Sequence, residues 1–371
     1  METIPLSLYI HFPWCKKKCP YCDFNSLEIQ SDTSVSEYVS VLESDLKSEL
    51  VNEKRNKLVS IFLGGGTPSL IPGSELNALF KIIANEFELL NTEITIEANP
   101  GSSEFSNFYD YRVFGINRLS IGAQTFNERT LKKLGRIHNS SDIKNAFDLA
   151  RRAHFNNINI DIMYGLPNQT ISEAIDDLEK TIALDPEHIS WYELTLEPNT
   201  VFFKNPPKVP SDVRKERMFE LGKEKLLAAG YHQYEISAYA KPGNQSKHNT
   251  NYWEFGDYLG IGAGAHGKLT KANIVNRTKK TRNPKDYLKN RHSIVQKVDP
   301  EELVIEFLMN ALRLIDGFEL SLFEKRCHQH RSNLKPFLSR ALEKNLIAVN
   351  RDRVTPTKKG SLFLNELVLL A

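Results

Sequence analysis

Residues 6–22 read Leu-Ser-Leu-Tyr-Ile-His-Phe-Pro-Trp-Cys-Lys-Lys-Lys-Cys-Pro-Tyr-Cys, a β-rich run that leads straight into three cysteines. Cys15, Cys19 and Cys22 thus fall on a loop directly after the first strand. Three thiols this close together suit a metal or a cluster better than a disulfide framework, which would spread its cysteines along the chain. A structural zinc needs a fourth protein ligand and a closed [4Fe-4S] cluster a fourth cysteine. His11 is a fourth ligand on paper, but at a strand end it points less naturally into the loop. Three thiolates on a [4Fe-4S] cluster leave one iron open for a small ligand. Cys327 stands alone and reads as an inert thiol.

Outward from this stretch, β-rich runs recur with helices between them: Val59 to Leu63, Ile94 to Ala98, Asn117 to Ala123, Ile158 to Met163, His188 to Leu194 and Tyr231 to Ile236. That alternation predicts βα units and a parallel sheet. Ser34 with Glu37, and Thr170 with Glu173, carry the capping-box pattern at two helix starts. Three strands alternate strictly. Ile94 and Ile96 oppose Thr95, Glu97 and Asn99; Leu119 and Ile121 oppose Arg118, Ser120, Gly122 and Gln124; Ile158, Ile160 and Ile162 oppose Asn157, Asn159 and Asp161. In a β/α barrel the apolar face meets the outer helices, so the polar face lines the lumen, and a lumen this polar implies a bound ligand.

The expected fold class is α/β: a partial, three-quarter TIM-like parallel β/α barrel with a small C-terminal α+β, winged-helix-like domain. Six strands with an open side are expected, the run at Tyr231 lying at the edge. The barrel is placed at 1–267, a basic linker at 268–299 and the winged-helix-like domain at 300–371. Lys268, Lys271, Lys279, Lys280 and Lys285 are read in that linker as solvated lysines or as partners for anionic groups of a ligand. Gly260 to Ala265 fits a dinucleotide fingerprint, but no helix or acidic residue follows to support it, and close packing at a barrel edge is the better reading.

With 48 Lys and Arg against 46 Asp and Glu, no chain-wide field points to nucleic acid or to an anionic membrane surface. Neither a signal-peptide pattern nor an apolar run long enough to span a bilayer is present. The expected location is cytoplasmic.

The spacing C-x3-C-x2-C, with aromatic Tyr21 just before the third cysteine, resembles the signature of the radical S-adenosylmethionine superfamily, and Gly64-Gly65-Gly66-Thr67-Pro68 resembles its glycine motif. The resemblance implies a [4Fe-4S] cluster on Cys15, Cys19 and Cys22, and S-adenosylmethionine at the open iron. Within the superfamily the chain is similar to the branch that contains oxygen-independent coproporphyrinogen III oxidase and the HemW-type heme chaperones. In that branch Tyr9, Gly65, Gly66, Thr67, Glu97, Gln124, Arg136 and Asp161 match positions that contact S-adenosylmethionine. Two departures point away from the oxidase: its long N-terminal extension is missing, and Phe24 stands where it carries a further cysteine. Lys247-His248-Asn249-Thr-Asn-Tyr252-Trp253 matches the H-N-x-x-Y-W motif of the HemW type.

The resemblance therefore implies a heme chaperone that passes heme to an acceptor protein, with the oxidase, or a radical enzyme acting on RNA, as alternatives. His248 is the candidate heme ligand, and Tyr252 and Trp253 are candidate stacking partners for the porphyrin. A His-Asn pair in a loop or at a helix cap is the competing reading of the same residues.

Overall fold

The computed structural model describes residues 3–51, 53–101, 107–291 and 293–371. Its main sheet comprises β1 (Leu6–Phe12), β2 (Ser60–Gly65), β3 (Glu93–Ala98), β4 (Arg118–Gln124), β5 (Ile158–Tyr164), β6 (His188–Glu193), β7 (His232–Glu235), β8 (Ala238–Ala240), β9 (Asp257–Ile261), β10 (His266–Lys271), β11 (Ile274–Lys280) and β12 (Ser293–Lys297). They pair in the order β12-β11-β10-β9-β1-β2-β3-β4-β5-β6-β8-β7. β9 and β1 to β6 are mutually parallel, and they form an open barrel wall with antiparallel strands at both ends.

The outer layer is helical: α1 (Val35–Leu50), α2 (Gly73–Glu86), α3 (Ser140–Arg152), α4 (Ile171–Ala183) and α5 (Asp212–Ala228). Ser34 caps α1 by accepting from the Glu37 N–H, and Thr170 with Glu173 closes a capping box on α4. The isoleucines of the alternating strands, Ile94, Ile96, Ile121, Ile158, Ile160 and Ile162, are buried with helix residues such as Leu42, Leu79, Ile143 and Leu178 in one apolar cluster. Each such side chain contributes on the order of 1.5–3 kcal/mol by leaving water. The polar halves of the same strands are thereby turned into the lumen.

The run at Tyr231 lies at the sheet's far edge as expected, as the antiparallel strand β7. Two expectations need correction. The wall has a seventh parallel strand where six were expected: Asp257–Ile261 returns late in the chain to pair with β1. The stretch 268–299 is not a linker. It carries most of β10 and all of β11 and β12, paired antiparallel, and a short helix Pro284–Lys289. Nor are all its lysines solvated: the Lys268 ammonium sits on Asp257 at 2.9 Å, and Lys280 is held by Asp45 and by Glu49, each lysine side chain only 1% exposed.

Gly260 to Ala265 spans the end of β9 and the tight turn into β10. A Cβ at Gly260 would meet the His266 carbonyl, so close packing accounts for that glycine.

A second apolar cluster, with Phe307, Phe323, Phe337 and Val354, lies under α7 (Pro300–Ala311), α8 (Leu320–Cys327) and α9 (Lys335–Glu343). Phe318–Glu319, Ile347–Asn350 and Arg353–Pro356 form its three-stranded sheet. The short strand and α8 escaped the sequence reading because no Ser, Thr, Asp or Asn caps α8. Among the described residues no helix is long and apolar enough to cross a membrane.

Candidate functional site

A cavity of about 490 Å³ opens at the C-terminal ends of the parallel strands. It is lined by Cys15, Cys19, Tyr21 and Cys22, by Gly65, Gly66 and Thr67, and by Glu97, Gln124, Arg136 and Asp161. These come from the cysteine loop, from β2 to β5 and the turns that follow them, and, for Arg136, from the turn after the helix Glu128–Lys133, so residues far apart in sequence meet at one mouth. Tyr9 is not in that lining; it lies deeper in the lumen, its hydroxyl 2.9 Å from His11 Nδ1.

The cysteine loop is clasped rather than loose. Trp14–Cys15 pairs with Leu27–Glu28, and Lys18 Nζ donates to the Phe24 and Ser26 carbonyls. Asn25 reaches across to the Ala263 and Arg282 carbonyls at 2.8 and 2.9 Å. Burial first, and then the neighbouring thiols Cys19 and Cys22, push the Cys15 thiol up to about 11. Such a thiol is inert until a metal displaces its proton. Among the described residues no three His, Cys, Asp or Glu side chains converge as ligands of one metal ion. His11 is committed elsewhere, its Nε2 lying 2.9 Å from the Asn25 carbonyl. Three cysteines on one clasped loop suit a cluster, in which each thiolate goes to its own iron.

The glycine run does something the sequence did not reveal. Its N–H groups are already spent within the fold: Gly65 donates to Glu97 Oε2 at 3.0 Å, Gly66 to the Phe12 carbonyl and Thr67 to the Trp14 carbonyl. A Cβ at Gly66 would sit 2.4 Å from Trp14 O, and Gly65 has φ +113, so side-chain-free backbone is required for β2 to end against the cysteine loop.

Glu97 and Asp161 place carboxylate acceptors in the cavity wall. Asp161 is preorganised by the Ser120 hydroxyl at 3.0 Å and Asn159 Nδ2 at 2.8 Å, and Asn159 is itself held by His188 and Ser190. Burial, with the nearby Asp161 charge, raises the Glu97 carboxyl to about 8. The folded value lies above the unfolded one, so this group stabilises the fold fully below about pH 4.5 and loses that contribution as pH rises toward 8. Glu97→Gln should therefore be progressively more stable than the parent between pH 5 and 8, as thermal melts across that range would show, while binding cationic ligands more weakly.

Arg136 reaches the cavity from the turn after the helix Glu128–Lys133. One of its nitrogens lies 3.7 Å from Cys19 Sγ, and the other donates to Asn99 Oδ1 and the Gly122 carbonyl. The cation thus stands beside a thiol that is a candidate cluster ligand. Gln124 Oε1 accepts from the Tyr192 hydroxyl at 2.7 Å. Tyr192, Ser190 and Met163 also line the cavity and were not singled out from the sequence. The signal for the first two was available, because His188, Ser190 and Tyr192 alternate with Ile189 and Trp191 on β6 as the polar residues do on β3 to β5.

The H-N-x-x-Y-W residues occupy the opposite end of the barrel, on α6 (Lys247–Trp253). His248 is 4% exposed. Its Nδ1 is 2.9 Å from the hydroxyl of Ser60, the first residue of β2, and its N–H donates to Glu93, the first residue of β3. The ring stacks on Phe62 at 4.8 Å, meets Tyr252 edge-on at 4.8 Å and lies 6.3 Å from Tyr9. Burial, aided by the Arg118 charge, pushes its pKa down to about 3. Tyr252 packs on Tyr258, and Trp253 lies under Arg313 at 4.3 Å. In this structure the imidazole closes the barrel floor, and Tyr252 and Trp253, both half-buried, pack beside it.

The radical SAM superfamily profile matches residues 9–181, and the HemN C-terminal domain profile matches residues 298–363. Heme chaperone HemW of Haemophilus influenzae is 48% identical over 373 residues, covering 99% of this chain and 97% of that protein. The proteins of the same name from Escherichia coli and Bacillus subtilis are 44% and 35% identical, covering 99% and 97% of this chain and 98% and 97% of their own lengths. The solved structure of coproporphyrinogen III oxidase (HemN) from Escherichia coli, described as a radical SAM enzyme, covers 99% of this chain and 90% of its own. The TM-score is 0.85 at 22% identity, a likeness of fold.

Proposed function

This chain belongs to the HemW family of the radical SAM superfamily, and from that premise we propose that it is a heme chaperone, binding heme and passing it to an acceptor protein. The observation that carries the proposal is near-identical length and 35–48% identity to proteins named heme chaperone HemW. A fold shared with the oxidase does not separate the two activities. Phe24 favours the chaperone: it is 56% exposed at the cavity rim, at the position where the oxidase carries a further cysteine.

Cys15, Cys19 and Cys22 would hold a [4Fe-4S] cluster, and Gly65, Gly66, Thr67, Glu97, Gln124, Arg136 and Asp161 would hold S-adenosylmethionine beside it. Together those groups, when bound, supply one-electron chemistry. The chain's own contribution is positioning. Glu97 and Asp161 offer acceptors for an ammonium or ribose hydroxyls, and Arg136 offers a planar donor fork for a carboxylate. Tyr21 and Tyr192 wall the cavity against water. Tyr9 supports this layer from beneath through His11. Anaerobic incubation of the cluster-loaded protein with coproporphyrinogen III, S-adenosylmethionine and a reductant should yield no protoporphyrinogen. Its formation would replace the chaperone by the oxidase.

A further inference from the structure

We propose that Asp177, on the outer helix α4 and absent from the cavity wall, is the positioning residue that aims both Gln124 and Arg136 into the cavity. The inference rests on the cavity being the S-adenosylmethionine site. It starts from an irregularity: Gln124 ends β4 with φ +68, in the left-handed region that side chains other than glycine rarely adopt, and the β4–β5 register shifts between Gly122 and Gln124. Gln124 still pairs with Ile162 beyond the bulge, but it is the last residue of β4, so its unusual backbone conformation must be held by what packs against the chain that follows the strand.

Asp177 supplies that fixation. It is 1% exposed, and its two carboxylate oxygens accept separate donors from the next two residues of the chain: the Thr125 hydroxyl at 2.6 Å and the Phe126 N–H at 2.7 Å. Gln169 Nε2 adds a longer bond at 3.3 Å. The path continues without a break. The Thr125 hydroxyl oxygen accepts the Asn127 N–H at 3.0 Å, and the Asn127 side chain caps the helix Glu128–Lys133 through the N–H groups of Arg129 and Thr130. After that helix the Arg136 N–H returns to the Leu131 carbonyl at 3.0 Å, which sends the guanidinium toward Cys19. One buried carboxylate therefore anchors the start of an arc whose first residue, Gln124, and last, Arg136, both line the cavity.

A buried carboxylate is costly unless it is hydrogen-bonded, and an apolar residue would serve packing alone at this place. Its donors all come from the arc or from Gln169, at the head of α4, so what it stabilises is the arc's conformation. Burial also raises its carboxyl to about 6.

The test is calorimetric titration of S-adenosylmethionine into anaerobic, cluster-loaded protein, comparing the parent with Asp177→Asn, Thr125→Val and Thr125→Ser. Asp177→Asn keeps the shape but replaces one acceptor oxygen by a donor. It should bind at least tenfold more weakly, with iron content and melting temperature near those of the parent. Thr125→Val should weaken binding severalfold and Thr125→Ser should restore it. If Asp177→Asn fails to fold, the Val and Ser pair at Thr125 decides alone. Parent-like binding by Asp177→Asn, or equal binding by the Thr125 pair, overturns the positioning role. Failure of the parent itself to bind would instead overturn the reading of the cavity.

Discussion

His248→Ala is expected to lose about 2–4 kcal/mol of stability and to keep its heme-binding stoichiometry. The loss follows from three contacts made at once by a buried ring: the Ser60 hydroxyl, the face of Phe62 and the edge of Tyr252. Removing the ring leaves a cavity at the barrel floor beneath Tyr9, and the surrounding strand ends cannot collapse into it. Chemical denaturation gives the first number and anaerobic hemin titration of the folded variant gives the second. A variant that stays as stable as the parent but no longer binds heme would reinstate His248 as a ligand and show that the floor opens.

Lys280→Met should cost more, on the order of 3–5 kcal/mol, because it strands a buried charge. Asp45 has no exposed side-chain surface, and it accepts from Lys280 Nζ, from the Tyr287 hydroxyl and from the Gly262 N–H. Glu49 shares the lysine at 2.6 Å. The pair joins α1 to β11, so its loss loosens the packing of the sheet extension on the barrel. Combining Lys280→Met with Asp45→Asn should recover part of the loss, since the stranded charge is then gone. Denaturation midpoints of the two variants would measure this, and equal destabilisation by single and double variants would mean that packing, not charge, dominates.

The same ion pair marks where sequence reading runs out. Parallel strands and outer helices were legible because isoleucines alternate with polar residues on β3 to β5 and because capping patterns at Ser34 and Thr170 announce helices locally. In β10 and β11 the strand signal is masked by lysines, and the carboxylate that makes Lys280 burial tolerable lies 235 residues away. No local pattern reports a partner at that distance. The cavity was legible for a similar reason that the floor was not. Cys15, Cys19, Cys22, Glu97 and Asp161 carry groups with few structural uses in a lumen, whereas His248, Tyr252 and Trp253 serve equally as ligands or as core. Only packing distinguishes the two, and here it buries His248 and leaves Tyr252 and Trp253 half-buried beside it.

The most direct test of the account is an anaerobic absorbance titration of the cluster-loaded protein with hemin. A heme chaperone predicts a saturable change that ends near one heme per chain, retained in folded His248→Ala. A change that grows without saturating, at any protein concentration tried, would contradict it.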